Sequence, residues 1–109
     1  MCEIEPAYNV IFVTVDSREK AESIAKTIVD EKLAACANII DGVSSYYWWQ
    51  GKTEWAKELL LVIKTNASKV DRLIDRIKAI HPYSVPEIIA LPIVKGNKPY
   101  LDWIDESLK

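Results

Sequence analysis

His81 and Cys36 are the side chains of this sequence best suited to binding a transition metal. His81 is the only histidine, and its imidazole suits borderline cations such as Cu²⁺, for which the thiolate of Cys36 would be a softer second ligand. A structural metal site typically has about four ligands. We therefore expect these two residues to hold Cu²⁺ or another divalent cation only together with further groups, for example from a second chain.

Both residues also have structural alternatives. The ring of His81 could form a hydrogen bond at the end of a helix, where a cation is favoured. Cys36 stands between Ala35 and Ala37 and could be a small buried core residue. The residue types alone leave both alternatives open.

A second candidate site combines Lys64, Tyr83 and Glu87. Glu87 stands at the start of an apolar segment, where a carboxylate needs a partner because charges at buried positions are rarely left unpaired. Lys64, at the end of a predicted strand, could be that partner. The two residues form either a structural ion pair or, with Tyr83, part of a ligand-binding cleft between chains.

Five aromatic residues cluster around a predicted hairpin, namely Tyr46, Tyr47, Trp48, Trp49 and Trp55. Such side chains can stack on nucleic-acid bases, but 14 basic and 16 acidic residues give a net charge of −2. Because the sequence has no basic patch, we expect no binding of nucleic acid. We expect packing across strands and between subunits instead, with Tyr47, Trp48, Trp49 and Trp55 in the interface.

No catalytic arrangement is recognisable. A single histidine without a nucleophile-elbow motif leaves no Ser/His/Asp or Cys/His set to assemble. The segment Thr14-Val15-Asp16-Ser17-Arg18 lacks both the CxxC of a copper chaperone and the glycine-rich anion cradle of an acylphosphatase. We expect no catalytic residues, no organic cofactor and no enzymatic activity.

Length and composition predict one domain over residues 1–109. Half of the residues are apolar and 28% are charged, which is ordinary for a globule with a real core. No apolar run is long enough to insert into a membrane. Two cysteines without CxxC spacing, Cys2 and Cys36, and a start that does not resemble a signal peptide predict reduced thiols and a cytoplasmic location. Cys2 could bind metal adventitiously or oxidise.

The candidate residues are carried by elements in the order β-α-β-β-α-β, followed by a short helix. The first strand covers residues 8–15, and Asp16 is the expected cap of the first helix. Two long arms, 36–49 and 53–65, are joined at Gln50-Gly51-Lys52, where Gly51 permits positive φ. The expected inward residues of the first helix are Ala21, Ile24, Ala25, Ile28 and Val29.

The second helix is expected to be capped by Asn66 or Ser68 and to end at His81-Pro82. A last strand over 87–94 belongs at a sheet edge, because Pro92 lacks a ladder donor. Right-handed crossovers then give strand order 4-1-3-2 in an α+β, ferredoxin-like sandwich. Because the helices cover one face of an apolar sheet, we expect a homo-oligomeric ring in which the overhanging hairpin pairs with a neighbour's edge strand.

Three separated blocks of sequence resemble the CutA family of divalent-cation tolerance proteins. They are Lys32-Leu33-Ala34-Ala35-Cys36-Ala37-Asn38-Ile39, then Tyr47-Trp48-Trp49-Gln50-Gly51-Lys52 with Glu54 and Leu61-Val62-Ile63-Lys64-Thr65, and His81-Pro82-Tyr83-Ser84-Val85-Pro86-Glu87-Ile88. The resemblance implies a ferredoxin-like fold, a cytoplasmic homotrimer similar in architecture to PII signalling proteins, and a link to copper and divalent-metal tolerance. Some members carry Cys and His where this sequence has Val13 and Ile80, so their metal ligands are not all present here.

Two functions follow as expectations. The first is a cytoplasmic homotrimer that binds a cation or small ligand at a cleft between subunits, near His81, Tyr83, Glu87, Lys64 and Cys36. The second is a rigid trimeric signalling or anchoring platform whose hairpin tip, residues 50–54, docks a partner protein.

Overall fold

The computed structural model describes residues 7–109, so the expected reactivity of Cys2 lies outside the described residues. The elements are β1 (Tyr8–Val15), α1 (Arg18–Asp30), β2 (Cys36–Trp49), β3 (Lys52–Asn66), α2 (Val70–Ile80), β4 (Ile88–Pro92) and α3 (Lys98–Ser107), with a 3-10 turn at Ala67–Lys69. The strands form one sheet in the order β2-β3-β1-β4. This arrangement confirms the α+β fold class, the strand order and the extra C-terminal helix. Among residues 7–109, no helix is long and apolar enough to cross a membrane.

The core lies between the sheet and helices α1 and α2, because alternate residues of each strand face the helices. Its fully buried members include Ile11, Val13 and Val15 of β1, Leu61 and Ile63 of β3, Ile24 and Ile28 of α1, and Leu73 and Ile77 of α2. The predicted inward stripe of α1 is confirmed except at Val29, which is 38% exposed. Val29 therefore lies at the margin of the buried stripe.

Both predicted helix caps are wrong. Ser17, whose backbone is extended, is the N-cap of α1, and its hydroxyl accepts a hydrogen bond from the Lys20 amide at 3.2 Å. No side chain caps α2, which continues from the 3-10 turn. Ser68 donates to Asn66 at 2.7 Å, and the Asn66 amide donates to Asp105. The two predicted caps of α2 are therefore engaged elsewhere.

The hairpin of β2 and β3 extends beyond the rest of the sheet. β1 pairs with β3 only as far as Val15 opposite Leu59, whereas β2 follows β3 to its start. Residues 43–49 and 52–58, which we call the ribbon, thus have no third strand. Gly42, at φ +78, lies in a one-residue register shift between Ile40 and Val43, which is a β-bulge. The predicted overhang is confirmed, and the arms join through a two-residue turn at Gln50 and Gly51, both at positive φ.

The strand β4 is shorter than predicted, since it covers Ile88–Pro92 rather than 87–94. Its partner β1 begins at Tyr8, and the Ile93 amide makes the last contact, 3.0 Å from the Tyr8 carbonyl. Beyond that point the ladder has no further residue, and Val94 is 87% exposed. The position of β4 at a sheet edge is confirmed.

The face of the sheet turned away from α1 and α2 is only partly covered, and we call it the open face. It carries Val10, Phe12 and Thr14 of β1, Leu60 and Val62 of β3, Ile40 of β2, and Ile89 and Leu91 of β4, as the register and the burial pattern show. At one end α3 lies against it, because the Tyr8 hydroxyl donates to Asp105 at 2.6 Å and the Asn66 amide donates to the same carboxylate at 3.0 Å. Ile40, Ile89 and Leu91 stay 47%, 48% and 38% exposed.

The hydrogen bonds from Tyr8 and Asn66 to Asp105, which anchor α3, predict that stability depends on pH. Hydrogen bonds from Tyr8 and then Asn66 lower the pKa of Asp105 below its usual 3.8. The Asp105 carboxylate therefore becomes protonated at a lower pH in the folded state than in the unfolded state. Its contribution to the free energy of unfolding is lost as the pH falls from about 5 through the folded pKa. We expect Asp105→Asn to lower the melting temperature at pH 7 and the difference from wild type to shrink below pH 3.8.

The matched control is Asp102→Asn, because Asp102 forms only an exposed pair with Lys98 on the same helix. Thermal melts by circular dichroism between about pH 2.5 and 7, a range that spans the ordinary Asp pKa of about 3.9, measure both variants. Equal melting temperatures for Asp105→Asn and Asp102→Asn at pH 7 would contradict the anchor.

Candidate functional site

Both ring nitrogens of His81 are engaged within the chain. The Tyr83 amide donates to Nδ1 at 3.0 Å, so Nδ1 carries no proton, and Nε2–H donates to the Thr14 carbonyl at 2.8 Å. The residue is 8% exposed. The ring thus connects the end of β1 to the segment after α2, and neither nitrogen offers a lone pair to a metal unless one of these bonds breaks.

The structure does not bring Cys36 and His81 together. Cys36 lies opposite Lys64 on β3, which in turn lies opposite Val10 on β1. His81 contacts Thr14, which is four residues further along β1 than Val10. Four residues of strand span about 13 Å. Cys36 is half-buried and outside the core cluster, with its sulfur 3.7 Å from the Asn38 side chain.

Within the described chain, the donor set does not fit a resident metal ion. No group of three or more His, Cys, Asp or Glu side chains among residues 7–109 is close enough to hold one. A site that used Cys36 or His81 would therefore need ligands from another chain. The metal roles of these two residues remain predictions.

The predicted structural ion pair between Lys64 and Glu87 does not form within this chain, and their sharing of a cleft between chains stays a prediction. Lys64 lies opposite Val10 across β3 and β1, and its ammonium donates to the Asn38 side chain. Glu87 directly precedes Ile88, which lies opposite Val13. The two charges are at opposite ends of the sheet because β4 runs antiparallel to β1 and meets it near its C-terminal end.

Tyr83 and Glu87, in contrast, do share a site. Both line a groove of about 1050 Å³ between the ribbon and the segment that follows α2. The groove lies where β1 has ended and the ribbon continues alone. Of the predicted cleft residues, Tyr83 and Glu87 are thus brought together, and Lys64 is not.

A buried hydrogen bond between Tyr83 and Glu58 forms one wall of this groove. The phenol donates to Oε2 of Glu58 at 2.7 Å, and Glu58 is 9% exposed. Burial, the hydrogen bond to Glu58 and then the charges of Glu58 and Asp16 all raise the pKa of Tyr83. The phenol therefore stays protonated and keeps donating to the carboxylate at neutral pH.

The ribbon presents two different faces. Cross-strand partners share a face, so the inner ribbon face consists of Val43, Ser45, Tyr47, Trp49, Glu54, Ala56 and Glu58. The outer ribbon face carries Tyr46, Trp48 and Trp55, of which Tyr46 and Trp48 are 77% and 75% exposed. The predicted interface aromatics are thus divided, with Tyr47 and Trp49 inside and Trp48 and Trp55 outside. No second chain is present, so their interface role remains a prediction.

The groove is acidic. Its lining includes the carboxylates of Glu54, Glu58 and Glu87 and no lysine or arginine. Sequence reasoning missed Glu58. The signal was its spacing of four from Glu54 along one strand, because an even spacing puts two residues on the same face.

A βαββαβ domain with an overhanging ribbon and a groove at its base is a ferredoxin-like α+β domain. The family model described as CutA1 divalent ion tolerance protein matches residues 9–107. The chain therefore belongs to the CutA1 divalent ion tolerance family.

Individual relatives agree with this assignment. The divalent-cation tolerance protein CutA of Thermus thermophilus is 52% identical over 98 residues, which are 90% of this chain and 95% of that protein. The chloroplastic CutA 1 of rice (Oryza sativa) is 49% identical over 92% of this chain, which spans 56% of the rice protein. The solved structure of the periplasmic divalent cation tolerance protein CutA from Archaeoglobus fulgidus has a TM-score of 0.91 at 45% identity and covers 94% of this chain and 99% of that one.

We expect Tyr83→Phe to destabilise the fold by about 1–3 kcal/mol, because it leaves a buried carboxylate without its donor. Glu58→Gln keeps an acceptor oxygen for the phenol and should cost less. Urea unfolding of the two single variants and the double variant gives the coupling between the two positions. Additive effects would show that the hydrogen bond contributes nothing to stability.

For His81→Ala, we expect unchanged affinity for Cu²⁺ and a loss of about 1–3 kcal/mol of stability, because the ring supplies two internal hydrogen bonds. Calorimetric titration with CuCl₂ and urea unfolding measure the two quantities. Lys78→Ala, an exposed position one turn earlier on α2, is the control. A tenfold or greater fall in Cu²⁺ affinity for His81→Ala alone would make His81 a ligand and contradict the structural role.

Proposed function

We propose that the chain acts as a homotrimer in divalent-cation tolerance, without enzymatic activity, and binds a cation or small ligand in a cleft between chains. The observation that carries this proposal is the open face, which keeps Ile40, Ile89 and Leu91 exposed beside two unpaired sheet edges. An exposed apolar area of this kind is typical of an association surface.

The two free edges favour a closed ring. They belong to different strands, β2 and β4, so a contact between one edge and the other joins unlike surfaces and must close on itself or polymerise. The ribbon extends the β2 edge beyond its own sheet, where it can reach a neighbour's β4. Three copies is the number that the family resemblance leads us to expect.

The outer ribbon face supports the same proposal energetically. More than half of the surface of Tyr46 and of Trp48 is exposed to solvent. At about 25 cal/mol per Å² of apolar area, covering an aromatic side chain of this size stabilises association by about 2–4 kcal/mol. A neighbouring chain that covers these residues would also give an otherwise marginal two-stranded ribbon a third strand.

The proposed cleft is the groove, because its inner ribbon face continues the open face along β3. Glu58 follows Leu60 and Val62 at a spacing of two, so a neighbour that covers the open face would also border the groove. The groove's negative charge supports a cationic ligand. We propose that Cu²⁺ and related ions bind at most through ligands shared between chains.

We further propose a cytoplasmic location, supported by a half-buried Cys36 that forms no disulfide within the described chain. The Archaeoglobus relative is described as periplasmic, which is the competing location. Fractionation of cells expressing the tagged full-length protein decides between them, and recovery in the periplasmic fraction would refute the proposal.

The second candidate is a trimeric signalling or anchoring platform whose hairpin tip docks a partner protein. The two-residue turn at Gln50 and Gly51, which lies at the exposed end of the ribbon between aromatic arms, favours it. Replacing residues 50–54 and comparing captured partners with those of wild type tests this role. An unchanged partner list would refute it.

We expect the wild-type chain to sediment as a trimer at micromolar concentration and Leu91→Lys to dissociate it, because the substitution puts a charge on the open face. Val29→Lys is a matched control, since Val29 and Leu91 are both 38% exposed but lie on opposite sides of the sheet. Sedimentation velocity measures all three proteins. A stable wild-type monomer, or dissociation by Val29→Lys alone, would refute the proposed assembly surface.

A further inference from the structure

We propose that the groove is a binding site for a small organic cation that carries a guanidinium group. This proposal rests on the ligand-binding role proposed above and names the chemical class of the ligand. It follows from three features of the groove: its charge, its aromatic wall and the arrangement of Glu58.

The charge of the groove selects a cation. Glu54, Glu58 and Glu87 line it, and no lining residue is basic. Lys52 shares the inner ribbon face, at the tip, but is not part of the lining. Among residues 7–109, these carboxylates do not form a group that could hold a metal ion. A guanidinium, whose five N–H donors form a planar fork, can instead donate to carboxylates one at a time.

Aromatic side chains alternate with the carboxylates on the same surface. Tyr47 lies opposite Glu54, and Trp49 follows Tyr47 on the inner ribbon face. A guanidinium is planar, weakly hydrated and able to stack on such rings while it donates to carboxylates in the ring plane. An ammonium group has no planar face and keeps its water more strongly, so this wall favours guanidinium.

Glu58 is held in place with one oxygen unused. Tyr83 donates to Oε2, and among residues 7–109 no donor contacts Oε1. No buried side-chain oxygen or nitrogen in these residues lacks a partner, so Oε1 is reachable from solvent. Tyr83 is in turn positioned by the bond from its amide to His81. The carboxylate is thus oriented before a ligand arrives, which lowers the entropic cost of binding.

The test uses the full chain and three probes that share a backbone and differ in the head group, with one more methylene in the lysine stem. They are N-acetylarginine amide, its neutral isostere N-acetylcitrulline amide, and N-acetyllysine amide. Calorimetry and tryptophan fluorescence follow the titrations. We expect the arginine compound to bind at least about tenfold more tightly than the citrulline compound, since charge-assisted hydrogen bonds are lost in the neutral isostere. The lysine compound should be intermediate.

Variants locate the site. Glu87→Gln, at an exposed position that folding does not require, should weaken binding of the arginine compound about tenfold, and Trp49→Leu should weaken it severalfold. Glu106→Gln, on the exposed side of α3, is the control and should bind as wild type does. Equal binding of arginine and citrulline compounds, or no effect of either groove variant, would overturn the proposal.

Sedimentation of the same samples separates this proposal from the function proposed above. A trimer that does not bind the arginine compound would overturn the guanidinium site and leave the assembly intact. A monomer that binds it would overturn the assembly and support the site. If the trimer dissociates when the arginine compound binds, a neighbouring chain is the occupant of the groove, and the small-ligand assignment would be overturned.

Discussion

The sheet of this protein has two apolar faces, and the two long helices can bury only one of them. Ile11, Val13 and Val15 face the helices and are fully buried, while Phe12 and Thr14 between them face the other way. The short helix α3 covers one end of the second face, where Asp105 accepts hydrogen bonds from β1 and β3. The proposed assembly follows from the apolar area that is left uncovered on this face.

Three hydrogen bonds hold the groove together at the point where β1 no longer pairs with the ribbon. Where β1 stops, the His81 ring accepts from the Tyr83 amide and donates to the Thr14 carbonyl, and the Tyr83 phenol donates to Glu58. These contacts fix the segment after α2 against the base of the ribbon. The histidine best suited to binding a metal thus makes two hydrogen bonds within this chain, and the groove beside it is lined by carboxylates and aromatic rings.

Periodicity predicted the elements and their order because it reports burial, and burial decides strands and helix faces. It could not predict which of Asp16 and Ser17 caps α1, since both residue types favour the N-cap position and the extended backbone at Ser17 is a property of the fold. The expectation that Glu87 needs a partner likewise suggested a pair with Lys64, and the antiparallel course of β4 keeps the two residues apart. Two opposite charges form a pair only when their side chains are close, and the strand register decides which residues of a sheet lie close together.

The bulge at Gly42 shifts the phase of the whole ribbon by one residue. Before it, the even-numbered residues Asn38 and Ile40 of β2 share a side with Leu60, and after it the odd-numbered residues do. With regular pairing throughout, Tyr46 and Trp48 would stand beside Glu54 and Glu58, and Tyr47 and Trp49 would point outward. A single glycine at positive φ therefore decides which aromatic side chains stand on the same side of the ribbon as Glu54 and Glu58 and which stand on the opposite side.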